Sequence, residues 1–226
     1  MGHKIVAILF DIGGVLVALD GVPSMAKLLG VEAHHEALHA RWLASPSVVA
    51  HETGKIDAEA FAAGIVADLR LPVTAECFLQ DFCNWPTGLL PGALQLVDDI
   101  PDTYHLAALS NTSAVHWDKI RAMGLVDRFD QTYLSHQIGC LKPSPGAFFI
   151  ALEGMGLSPS DVLFLDDGLR NIEAALKLGM HAHLASGPEE ARRVLAKYGV
   201  VPASAGAKSA QRRTRVRTSS IAECER

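Results

Sequence analysis

The chain has 226 residues, 49% apolar and 20% charged, with a formal net charge of −5, a balance that excludes general disorder and suits one α/β core with an inserted subdomain. The charge is uneven: residues 203–226 hold six basic against two acidic side chains, net +4, leaving −9 on the rest. An acidic globule repels nucleic acid, so a polyanion contact is expected only from that tail, which is itself expected to be a disordered extension.

No stretch reaches the ~18 apolar residues of a spanning helix, and the run from Lys4 to Phe10 is too short for a signal peptide. The four cysteines, Cys77, Cys83, Cys140 and Cys224, show neither C-x-x-C spacing nor a paired framework, which argues against a zinc site and a disulfide scaffold. A cytoplasmic protein without membrane contact is the expectation, and nothing in the pattern fixes an oligomeric state.

In chain order, Ile5–Phe10 is a continuous β-branched and apolar run, as in a strand covered on both faces of a parallel sheet. From 18 to 87 the pattern turns helical, with segments at about Val22–Leu29, His34–Leu43, Asp57–Leu69 and Thr74–Trp85; this stretch is expected to be a strand-free helical cap, with Asp57 and Thr74 as N-caps. Strand-like runs return at His105–Leu109, Thr132–Leu134, Val162–Leu165 and His181–Leu184. Helical periods lie between and after them at Ala114–Met123, Pro145–Met155, Asn171–Leu178 and Glu189–Tyr198. This alternation predicts an α/β core, a doubly wound parallel sheet built from residues 1–17 and 88–202.

Polar clusters follow four of these strands. Asp11 ends the first, Ser110-Asn111-Thr112 the second, Lys142 comes shortly after the third, and Asp166-Asp167 close the fourth. Each alone is ordinary turn or capping chemistry. A parallel sheet makes them neighbours at its carboxyl edge, where open α/β sheets bind ligands.

Together they supply what phosphoryl transfer requires. Asp11 is a carboxylate nucleophile, Lys142 a cation for the phosphate, and the Ser110 hydroxyl and Asn111 amide are directional donors. Magnesium, held by hard oxygens such as those of Asp11 and Asp167, would screen the repulsion between two approaching anions. Two adjacent carboxylates at the end of a buried strand are themselves best explained by a cation between them.

Phe10-Asp11-Ile12-Gly13-Gly14-Val15-Leu16 resembles the first motif of the haloacid-dehalogenase-like hydrolases. Leu109-Ser110-Asn111-Thr112, Gly139-Cys140-Leu141-Lys142-Pro143 and Phe164-Leu165-Asp166-Asp167-Gly168 resemble the second, third and fourth, in the family's order and with the helical insert at its cap position. The resemblance implies a Rossmann-like core and a magnesium-dependent phosphatase acting on a small phosphorylated metabolite. It makes Asp11 the nucleophile, has Ser110, Asn111 and Lys142 hold the phosphate, and makes Asp167, helped by Asp166, the acidic metal ligand. Asn171, one helical turn on, would support the metal site. The Tyr133-Leu134-Ser135 stretch and the Gly-x-x-Lys-Pro run look most like bacterial sugar phosphatases, including α-glucose-1-phosphatases.

One position departs from the pattern. Most family phosphatases carry a second Asp two residues after the nucleophile as general acid and base, and here that residue is Gly13, whose carbonyl could still meet magnesium. Two other expectations follow: a phosphate-binding or regulatory protein without turnover, and a metal-independent 2-haloacid dehalogenase.

Overall fold

A computed structural model describes residues 4–32 and 35–204. The basic tail expected to be disordered lies, from residue 205 onward, outside the described residues.

Strand β1 (Ala7–Phe10) runs at the centre of a five-stranded parallel sheet, flanked by β4 (His105–Ser110) and β5 (Gln131–Leu134) on one side and by β6 (Val162–Asp166) and β7 (His181–Leu184) on the other. Phe10 is level with Ala108 of β4 and Leu165 of β6. The chain therefore leaves these three strands at one edge, bringing Asp11, Asn111 and Asp167 together.

Every residue of β1 is fully buried, because alternate side chains enter different cores. Ile8 and Phe10 join Leu106, Ala108, Leu163 and Leu165 under α6 (Ala93–Asp98), α7 (Ala114–Ala122) and α11 (Pro188–Lys197). Ala7 and Leu9 join Leu109, Phe164 and Phe148 under α9 (Pro145–Met155) and α10 (Leu169–Lys177). Two covered faces explain why the strand reads as unbroken apolar sequence rather than as alternation.

Between β1 and β4 the chain forms α1 (Gly21–Leu29), α2 (His35–Leu43), α3 (Pro46–Glu52), α4 (Ala58–Leu69) and α5 (Ala75–Phe82). These helices enclose their own core of Met25, Val48, Phe61, Ile65, Phe78, Phe82 and Trp85. The capping oxygens act as the sequence predicts, Asp57 accepting from the Ala60 amide and Thr74 from that of Cys77. Ser45 and Pro46 begin α3 by the same chemistry, with Pro46 in the first turn.

The expectation of a strand-free insert needs correcting at its ends. Val17–Leu19 (β2) and Pro86–Leu89 (β3) pair antiparallel, with a register shift at Ala18/Leu19. Residues entering and leaving the helices thus satisfy each other's backbone groups. Three- and four-residue strands carrying Pro and Gly give no periodic signal. Helix α6 is missed for a similar reason, having six residues and only Gly92 before it. Among the described residues, no helix is long and apolar enough to cross a membrane.

Candidate active site

Asp11 follows β1 directly. Its amide donates to the Leu165 carbonyl at 2.8 Å, and its Oδ1 accepts from the Ile12 amide at 2.6 Å, which fixes the plane of the carboxylate. Lys142 Nζ lies 3.0 Å from that same Oδ1 and 2.6 Å from Asp166 Oδ2. Lys142 is buried at 4% exposure and Asp166 at 0%, so these charges face each other with little water between them.

Each motif holds another in place. The Asn111 side chain forms a two-bond clamp on the Lys142 backbone, its Oδ1 accepting from the Lys142 amide at 2.8 Å and its Nδ2 donating to the Lys142 carbonyl at 2.9 Å. Asn111 thus spends these bonds on aiming the lysine, a role the sequence reading missed. Asn171 Nδ2 reaches both oxygens of Asp166 at 2.9 and 3.1 Å, and the Gly168 amide donates to Asp166 Oδ1 at 2.7 Å. Asp166 is therefore well supplied with donors, whereas Asp167 projects to the exposed side. Ser110 is buried beside Asn111 at the end of β4. Next in chain, the Thr112 amide donates to Ser135 Oγ at 2.9 Å, and Thr112's carbonyl accepts from that hydroxyl at 2.9 Å.

Asp11, Asp166 and Asp167 each offer a carboxylate oxygen, and these atoms all lie within 4.8 Å of one another. Three carboxylates beside one lysine concentrate negative charge at this edge of the sheet, on groups that run from the buried Asp166 to the exposed Asp167. Burial, opposed by Lys142 and reinforced by Asp166 and Asp167, pushes the Asp11 carboxyl up to about 7. Burial also works against charge on Lys142, but Asp11 and Asp166 outweigh it and hold its pKa above the ordinary value.

An all-oxygen donor set with surplus negative charge fits a hard divalent cation. Gly14 supports the fit. With φ +68° it sits where a Cβ would lie 2.0 Å from Asp167 Oδ2, so glycine is what lets that carboxylate approach β1. Gly13 lies in the same turn, and a Cβ there would meet only the Leu19 side chain, at 2.6 Å.

The site is thus a buried carboxylate beside a lysine and an acidic doublet, at the carboxyl edge of a parallel α/β sheet. Residues 5–179 match the family model for haloacid dehalogenase-like hydrolases, and the chain belongs to that family. It is 28% identical to the D-ribitol-5-phosphate phosphatase of Bacteroides thetaiotaomicron over 184 residues, covering 76% of this chain and 87% of that protein. It is 30% identical over 79 residues, 34% of each chain, to the glyceraldehyde 3-phosphate phosphatase of Methanopyrus kandleri. A HAD family enzyme from Bacteroides thetaiotaomicron, solved as a magnesium complex, superimposes with a TM-score of 0.63 at 26% identity, covering 82% of this chain and 94% of that one.

Proposed function

We propose that this protein is a magnesium-dependent phosphatase that hydrolyses a small phosphorylated metabolite, a sugar or polyol phosphate, through an aspartyl-phosphate on Asp11. The observation that carries the reading is the meeting of Asp11, Asp166 and Asp167 within 4.8 Å, with the buried Lys142 ammonium 3.0 Å from Asp11. The phosphatase relatives and the magnesium-bound structural neighbour support it.

Asp11 and Asp167, with the Gly13 carbonyl and Asp166 beside them, would hold the ion. Bound magnesium neutralises charge between the carboxylate and the incoming phosphate dianion. The Ile12 amide and Lys142 orient Asp11 for attack on phosphorus; a bond forms from its carboxylate oxygen as the bond to the substrate oxygen breaks. Lys142 and Ser110 take up the phosphoryl oxygens, while Asn111 keeps Lys142 in position and Asn171 keeps Asp166 paired with it. Water then attacks phosphorus in the acyl-phosphate, releasing phosphate and restoring the Asp11 carboxylate.

Incubation with Mg²⁺ and p-nitrophenyl phosphate is expected to release phosphate, and both Asp11→Asn and a chelator to abolish the release. Gly13 favours one competing reading, a phosphate-binding protein without turnover; metal-dependent phosphate binding by calorimetry beside silent assays on a broad sugar-phosphate panel would establish it. Halide release from 2-haloacids in chelator would point instead to the dehalogenase reading.

A further inference from the structure

Two loops carry the groups that take up phosphate, one after β4 with Ser110 and Asn111, the other after β5 leading to Lys142. Ser110 is level with Leu134 in the last register of that parallel ladder. Beyond it the backbone of Thr112 has no strand partner, yet Thr112 is buried, and a buried amide and carbonyl must be paired.

Ser135 and His136, which open the short helix α8 (Ser135–Ile138), supply the partners. Ser135 Oγ accepts from the Thr112 amide and donates to the Thr112 carbonyl, both at 2.9 Å. The same carbonyl lies 3.0 Å from His136 Nδ1; a carbonyl only accepts, so that nitrogen carries the hydrogen. Ser135 is 1% exposed, so no water can stand in for its hydroxyl. His136 is held in turn from the cap, where Gly54, at φ +72°, packs so tightly that a Cβ would lie 2.3 Å from the His136 carbonyl oxygen.

The two loops are therefore tied twice. Thr112 is bound to Ser135 and His136 at one end, and Asn111 grips the Lys142 backbone at the other. Ser110 adjoins the first of these segments and Lys142 belongs to the second, so the spacing between their side chains depends on both ties. We propose that Ser135 and His136 are positioning residues for the phosphate, acting through the Thr112 backbone rather than on the ligand. The inference rests on the phosphatase reading above. Asp11 and Asp167 stand outside this tie, since they follow β1 and β6. Loosening it thus weakens the grip on the phosphoryl oxygens and leaves the ligands of the ion in place.

A positioning role separates two affinities that a generally weakened fold would lower together. Full-length wild type, Ser135→Ala, His136→Ala and His136→Asn are titrated by calorimetry with Mg²⁺ alone and with orthovanadate in saturating Mg²⁺, and kcat/KM is measured on p-nitrophenyl phosphate. For both alanine variants vanadate affinity and kcat/KM are expected to fall ~10–100-fold while Mg²⁺ affinity stays within ~twofold, because only the groups that meet phosphate lose their alignment. His136→Asn, whose amide can donate in place of Nδ1–H, is expected to recover most of the loss. His136 is only half-buried, so its two variants decide the matter if Ser135→Ala does not fold. Vanadate affinity unchanged in His136→Ala, or lost in step with Mg²⁺ affinity, would overturn the assignment. A wild type that neither binds vanadate nor releases phosphate would instead defeat the phosphatase reading itself.

Discussion

Replacing the nucleophile by its isosteric amide, Asp11→Asn, is expected to destroy activity while stabilising the metal-free protein. The folded Asp11 carboxyl holds its proton up to about 7 against an ordinary value of 3.8. Wild type thus keeps its full stability below the ordinary value and loses part of it as pH climbs from about 4 to about 7 and the buried group is forced to ionise. At about 1.4 kcal/mol per pH unit, the loss is roughly 2 kcal/mol at pH 5 and reaches about 4 kcal/mol at pH 8. Those figures are upper values, since side chains and water relax around a charge. Asparagine carries no charge and its oxygen can still accept from Ile12, so the variant escapes the loss. Urea denaturation in chelator at pH 8 and pH 5 reads the difference directly. The Asn variant should be the more stable, by a margin that narrows at pH 5, and added Mg²⁺ should favour wild type by binding its folded state. An Asn variant no more stable than wild type at pH 8, or a margin unchanged by pH, would refute the electrostatic account of the site.

Proton and metal compete for Asp11, so apparent Mg²⁺ affinity by calorimetry should fall ~tenfold between pH 8 and pH 6; a flat profile would remove Asp11 from the ligand set. Lys142→Met leaves Asp11 and Asp166 facing each other without their cation, and unfolding in chelator should show a cost of ~3–5 kcal/mol. A change below about 1 kcal/mol would mean that the lysine is not holding the two carboxylates together. Gly14→Ala drives a Cβ toward Asp167 Oδ2 and strains a left-handed backbone, so Mg²⁺ affinity should drop ~10–100-fold, whereas unaltered binding would exclude Asp167 from the metal site.

The parts of this protein legible in sequence were those with strong local chemistry. The run Ile5–Phe10 reveals a central strand because both its faces are covered, and Asp57 and Thr74 mark helix starts because their oxygens satisfy otherwise orphaned amides. Asp11, Lys142 and Asp166-Asp167 could be grouped because each ends or follows a parallel strand, and topology then brings them together. The division of labour among them was hidden. Asn111 looks like a donor to the phosphate, yet its side-chain bonds in the structure go to the Lys142 backbone, whereas Asn171, expected to support the metal site, donates to Asp166. Which acceptor an amide takes depends on spacing between distant segments, which residue type does not encode. The ribbon of β2 and β3 was missed because its strands are too short for any period. Helix α3 goes unread in the sequence although Ser45-Pro46 carries its start signal.

The central claim is that Asp11 itself becomes phosphorylated, and borohydride trapping tests it most directly. The enzyme is mixed with Mg²⁺ and substrate, quenched in acid during turnover and reduced, and its peptides are mapped by mass. An aspartyl-phosphate would appear as homoserine at position 11, dependent on both metal and substrate; phosphate released while residue 11 remains aspartate under every condition would contradict the account.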